Sequence, residues 1–96
     1  MSETLENQAR TLKMMGNPTR LRILRELAAG SCCVKTICET LDLPQATVSQ
    51  HLARLRRCAI VAADRQGAQV CYSLADPCTA RILAAFYEQK KGGKGK

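Results

Sequence analysis

The sequence predicts a mainly α domain with a β-hairpin wing, a winged helix-turn-helix of about five helices and two strands. Two observations predict it. Residues 43–57, LPQATVSQHLARLRR, set Val48, Leu52 and Leu55 on one narrow seam at about 3.6 residues per turn, with Thr47, Gln50, Arg54 and Arg57 roughly opposite. Beyond Arg57 the apolar period shortens to that of strands, in two runs separated by a turn.

Over residues 3–15, Leu5, Ala9, Leu12 and Met15 recur at helical spacing, and Gly16-Asn17 stops the helix. Pro18 opens a second helix with Leu21, Leu24, Leu27 and Ala28 facing inward, Arg20, Arg22 and Arg25 outward, and Gly30 just past its end. Ser31 begins a short third helix through Val34, Ile37, Cys38 and Leu41, broken at Asp42-Leu43-Pro44. Pro44 suits the first position of the next helix, where a missing N–H costs nothing. Two short helices joined by about four residues, the second with a polar outer face, make a helix-turn-helix. Residues 58–62 form a short β-prone run, Asp64-Arg65-Gln66-Gly67 a turn, and residues 70–74 a second run that alternates apolar and polar. Asp76 caps a last helix with Pro77 at its first position and a stripe of Ile82, Leu83, Phe86 and Tyr87. A core this small does not absorb the apolar faces of the first and last helices, and a two-fold homodimer through those two helices would bury them.

Composition narrows the function. Residues 1–90 are read as the domain and 91–96 as a basic Gly/Lys tail without stable structure; four lysines at 90, 91, 94 and 96 leave +3 of the chain's +7 to the rest. That balance favours an acidic partner such as DNA. One Phe, two Tyr and no Trp supply a poor stacking surface for single strands or RNA. No apolar run approaches the length of about 18 residues that spans a membrane, and residues 1–30 lack the apolar centre of a signal peptide, so a cytoplasmic protein without a membrane partner is expected. In a reducing cytosol the six cysteines read as metal-binding, redox-sensing or buried thiols rather than a disulfide scaffold. A cysteine nucleophile would need a base, and the single histidine, His51, belongs to the helix just described; no enzyme and no organic cofactor are expected.

The outer face of residues 43–57 offers amide, hydroxyl and guanidinium groups and no acid, the inventory that hydrogen-bonds base edges and phosphate oxygens in a major groove. The candidate contacts to double-stranded DNA are Gln45, Thr47, Ser49, Gln50, His51, Arg54 and Arg57, with Arg65 and Gln66 reaching from the wing tip to a phosphate or the minor groove. A merely solvated helix has the same pattern; the surrounding helix-turn-helix and wing favour DNA.

That order of elements, with NPTRLRIL (17–24), ATVSQHLARLR (46–56) and DRQGAQVCYSL (64–74), resembles the ArsR/SmtB family of winged-helix repressors over roughly residues 9–88. The resemblance implies a homodimer on a palindromic operator that leaves it when a metal ion, a metalloid or a thiol-reactive species binds. In the family's arsenic-sensing branch the helix before the recognition helix starts roughly Leu-Cys-Val-Cys-Asp-Leu-Cys; here residues 31–38, SCCVKTIC, occupy that place. Cys33 and Cys38 match its first and third thiols, Lys35 replaces the second, and Cys32 is an additional thiol. The resemblance therefore implies Cys33 and Cys38 as ligands of the inducer, with Cys32 as a substitute for the missing thiol; Cys71, on the wing strand, and Cys78, near a dimer partner if the last helix pairs, are second choices from their positions.

Soft thiolates prefer soft acceptors, so such a cluster points to arsenite or antimonite first and cadmium or lead next, not to calcium or magnesium. Cys58, where a small apolar side chain packs well, reads as structural. Cys71 has the opposite parity to Val70 and Tyr72, and with those two inward it would be exposed. Met14 and Met15 read as core or dimer packing. The alternative inducer chemistry in the same fold is oxidation or persulfidation, closing a disulfide among Cys32, Cys33, Cys38, Cys71 and Cys78.

Overall fold

A computed structural model describes residues 4–95, with side chains through residue 86. Local chemistry sets most helix ends. Thr4 Oγ1 accepts the Asn7 N–H at 3.0 Å and opens α1 (Leu5–Met15). Asn17 Oδ1 accepts the Arg20 N–H at 3.0 Å and opens α2 (Pro18–Ala28), whose Pro18 lacks only an N–H that would have had no partner. The Asp76 carboxylate accepts both the backbone N–H and the hydroxyl of Thr79, at 3.2 and 2.7 Å, and opens α5 (Pro77–Gly95). Thr79 is fully buried, and this double bond is what satisfies its hydroxyl.

Two helix starts differ from the sequence reading. Ser31 does not begin a helix: Cys32–Cys33 is an extended strand, β1, and α3 runs Val34–Leu41. Pro44 precedes α4 (Gln45–Arg57) as its cap residue rather than its first helical one, because its ψ of 147° is extended although its φ of −62° fits either state. At the other end α3 stops on Asp42, left-handed at φ 56°, which lets the Leu43 N–H reach back to the Cys38 carbonyl at 3.1 Å.

The sheet has three antiparallel strands in the order β1-β3-β2, not the two of a lone hairpin, with β2 at Val61–Gln66 and β3 at Gln69–Leu74. Cys32 pairs with Tyr72 and Cys33 with Cys71. The hairpin also turns later than expected. Asp64, Arg65 and Gln66 belong to β2, and the turn is Gly67-Ala68, with Gly67 at φ +67° supplying the left-handed residue a two-residue hairpin needs. Residues 58–60 are consequently the exit of α4 rather than the start of a strand.

Ile23, Leu24, Ile37, Val48, Leu52, Leu55, Ile60 and Leu83 form the sealed centre of the core. On α2 the inward stripe contains Ile23, while Ala28 is exposed. Cys71 is buried, with 9% exposure, where exposure was expected; Tyr72 and Leu74, of the opposite parity, are the β3 residues that pack against the core, and Cys71 is covered on the side it shares with Cys33. Leu5, Leu12 and Phe86 stand 82%, 57% and 52% exposed on α1 and α5. Tyr87 and the expected tail at 91–96 lie outside the residues whose side chains are described. Among the described residues, no helix is long and apolar enough to cross a membrane.

Candidate nucleic-acid interface and the thiols beside it

The roll of α4 is fixed by its seam. Val48, Leu52 and Leu55 have no exposed surface, and that pins Gln45, Ser49, Gln50, Arg54 and Arg57 on the solvent side, with Thr47 half-buried at the edge. Arg56, which the sequence reading passed over, is exposed as well. Arg54, Arg56 and Arg57 fall in the last turn, where cations meet the negative end of the helix dipole. The result is a convex face of amides, hydroxyls and guanidinium groups without a carboxylate of its own.

His51 is half-buried and serves as an anchor. Arg20 Nε donates to His51 Nδ1 at 3.2 Å, while Arg20 Nη1 reaches the Met14 carbonyl at 3.4 Å. Arg20 was expected to face outward; instead it turns in and ties the end of α1 and the start of α2 to the recognition helix. Burial first, then the Arg20 and Arg54 cations, hold the His51 pKa below its ordinary value. Neutral His51, accepting at Nδ1, keeps its proton on Nε2.

On the wing, Arg65 and Gln66 are exposed at the end of β2, and Gln66 Nε2 donates to Asp64 Oδ2 at 3.4 Å. Between the wing turn and the start of α4 lies an open cleft of about 300 Å³ lined by Cys33, Lys35, Gln45, Ala68, Gln69 and Val70. One thiol thus stands in the space between the two elements expected to touch DNA.

The cysteines do not gather as the sequence reading grouped them. Adjacent residues on a strand point to opposite faces, so Cys32 and Cys33 diverge. The Cys32 sulfur faces the Gly30 and Glu26 carbonyls at 3.6 and 3.9 Å, and burial, with Glu26 and Cys33 adding to it, pushes its thiol pKa up. Cys38 and Cys58 are half-buried against the core, and Cys78 is exposed on α5. The Cys33 and Cys71 sulfurs, by contrast, lie 3.0 Å apart across the β1–β3 pair. Among the described residues, no three His, Cys, Asp or Glu side chains come together as a metal-ligand set, so Cys32, Cys33 and Cys38 do not form a ready three-thiol chelate in this conformation. The Cys33–Cys71 contact had no sequence signal, since nothing in the pattern of residues 31–38 announces a strand.

The described geometry is matched elsewhere. A family model described as "Bacterial regulatory protein, arsR family" covers residues 17–63, which include α2, α3, α4 and the start of β2. The transcriptional repressor PagR of Bacillus anthracis is 41% identical over 81 residues, spanning 83% of this chain and 81% of PagR. The chain belongs to the ArsR family. The family is one of bacterial regulatory proteins, and the solved structures agree on the fold. HlyU from Vibrio cholerae superposes with a TM-score of 0.85 at 29% identity over 93% of this chain and 97% of its own. A homodimeric winged helix-turn-helix DNA-binding domain, Mb0332 from Mycobacterium bovis, superposes with a TM-score of 0.80 at 31% identity over 91% of this chain and 81% of its own.

Proposed function

We propose that this ArsR-family regulator is a repressor that holds a two-fold operator duplex as a homodimer and releases it when a soft, thiophilic species engages its cysteines. The observation that carries the DNA half is the outer face of α4, held outward by a fully buried seam and free of acids. In this reading Gln45, Thr47, Ser49, Gln50, Arg54 and Arg57 contact the major groove, His51 makes a contact through Nε2, and Arg65 and Gln66 reach the flanking backbone. Two copies of α4 related by a two-fold axis would read successive major grooves, about 34 Å apart.

Support for the inducer half comes from the donor set: six thiols, with Cys33 meeting a second sulfur and lining the cleft between wing and α4. Arsenite and antimonite are the first ions to test, then cadmium and lead, with Cys32, Cys38 and Cys78 as the thiols that would have to move toward Cys33 to add a ligand. The test begins with duplexes selected by the protein from a random-sequence library, which should yield a palindrome. On that duplex, Gln50→Ala and Arg54→Ala should each weaken binding by about 1–3 kcal/mol, and arsenite should release the wild-type protein. Unchanged gel shifts for both variants would remove α4 from the interface; operator occupancy indifferent to every soft ion would remove those ions as inducers.

A further inference from the structure

We propose that Cys33 and Cys71 form a modification site in which a hydroperoxide oxidises Cys33 and Cys71 closes the bond, tying β1 to the wing and loosening the grip on DNA. The proposal deepens the thiol-controlled reading above and rests on it for its regulatory meaning. Four observations carry it.

First, the sulfurs are 3.0 Å apart and their residues are directly opposite each other on antiparallel strands. Directly opposed residues in such a ladder have Cα atoms about 4.5 or 5.5 Å apart, and both spacings lie inside the disulfide range of about 4.4–6.8 Å. An S–S bond of about 2.0 Å then needs the sulfurs to approach by only about 1 Å. Second, the two thiols are not equivalent. Cys33 lines the open cleft with Lys35 and Gln45, whereas Cys71 sits behind it with 9% exposure. A small peroxide reaches Cys33 first. Third, the hydrogen bond with Cys33, with burial next, pushes the Cys71 thiol pKa up, which favours Cys71 as the thiol that keeps its proton. Fourth, the other four cysteines lack such a neighbour among the described contacts: Cys32 faces backbone carbonyls, Cys38 and Cys58 lie against the core, and Cys78 is on the surface.

The chemistry balances. The Cys33 thiolate attacks the terminal oxygen of ROOH; an S–O bond forms, the O–O bond breaks, and the leaving alkoxide takes a proton as ROH. Cys71 then attacks the sulfenic sulfur, the S–S bond forms, and the hydroxide leaves with the Cys71 proton as water. Two thiols lose two electrons and two protons, and the hydroperoxide supplies the oxidising equivalent. Because β1 leads directly into α3 and β3 is a wing strand, the new bond fixes the wing against the entry of the helix-turn-helix on the side of the cleft that faces α4.

The experiment treats the full-length protein with hydrogen peroxide, maps tryptic peptides by mass, and measures affinity for the selected operator duplex in parallel. Trypsin leaves Cys32 with Cys33 on residues 26–35 and Cys71 with Cys78 on residues 66–81, so cysteine variants assign the bond. A linked pair two hydrogens lighter should appear in wild type, Cys32→Ser and Cys78→Ser, and vanish in Cys33→Ser and Cys71→Ser. Operator affinity should fall about tenfold or more in the first group and stay unchanged in the second, a coupling of ordinary size. Reduced Cys33→Ser and Cys71→Ser proteins must bind the duplex, which shows that they are folded. A link that survives either of those two substitutions, a Cys32–Cys33 bridge in place of the cross-strand one, or a cross-strand link without loss of affinity overturns the proposal. Release by arsenite is scored on the same duplex: if it persists while the peroxide link fails, the thiol-controlled repressor stands and only the oxidation site falls.

Discussion

Arg20 and His51 couple two parts of the molecule that the chain separates by 31 residues. Burial first, then the Arg20 guanidinium from which the imidazole accepts and a second cation, Arg54, disfavour its protonated form in the folded state. In the unfolded chain the same histidine takes up its proton near pH 6.5. Between the lowered folded value and 6.5 the unfolded state therefore binds more protons, and stability rises with pH across that window and is lost as pH falls through it. Urea unfolding followed from neutral into mildly acid buffer should show that loss in the wild type, and His51→Gln should flatten it. An equally steep profile in His51→Gln would assign the acid sensitivity to carboxylates instead. The pattern of residues 43–57 puts His51 beside the inner seam of α4 but does not announce Arg20 as its partner, since hydrogen bonds between distant residues leave no period in the sequence.

The elements show where local signals suffice. Thr4, Asn17 and Asp76 each stand one residue before a helix and each accept a backbone N–H, so their side chains mark the starts of α1, α2 and α5 directly. The exit of α4 carries no such mark. Cys58 caps it, Ala59 is left-handed at φ 62°, and the Ala59 and Ile60 N–H groups bond the Arg56 and Leu55 carbonyls at 2.9 and 3.0 Å. Those paired bonds are a Schellman motif with alanine where glycine is usual, which is why residues 58–62 read as a strand. A Cβ in that backbone region is costly, so Ala59→Gly should stabilise the fold by about 0.5–1 kcal/mol after the entropy of the unfolded glycine is subtracted. Thermal unfolding at fixed protein concentration should then show a midpoint higher by several degrees; a lower midpoint would mean that the Ala59 methyl packs usefully.

At the scale of the whole molecule, the apolar surface left on α1 and α5 is the feature a single chain does not account for. Leu12 and Phe86 rim a shallow hollow of about 170 Å³ whose floor is Met15, Leu21 and Ile82, close to the terminal helices that a two-fold partner would cover. Leu12 is 57% exposed, so changing it leaves no core cavity. Leu12→Glu should give a folded monomer by sedimentation with unaltered circular dichroism and greatly weakened operator binding, because one reading head keeps only half of the phosphate contacts. A Leu12→Glu protein that still sediments as a dimer would place the interface on other elements.

By itself the sequence determined the seam of α4, the acid-free face opposite it, the Asp76 cap of the last helix and the presence of a wing, because each is written in nearest-neighbour chemistry or in a period of a few residues. Tertiary structure alone decided that Cys32–Cys33 is a strand, that Cys71 is buried, and that Cys33 meets Cys71 rather than Cys38. A two-residue strand is too short to show alternation, and its conformation is set by the edge it finds on β3. How far each side chain of β3 is covered depends in turn on the strands and helices packed around it, and that is information the strand itself does not contain.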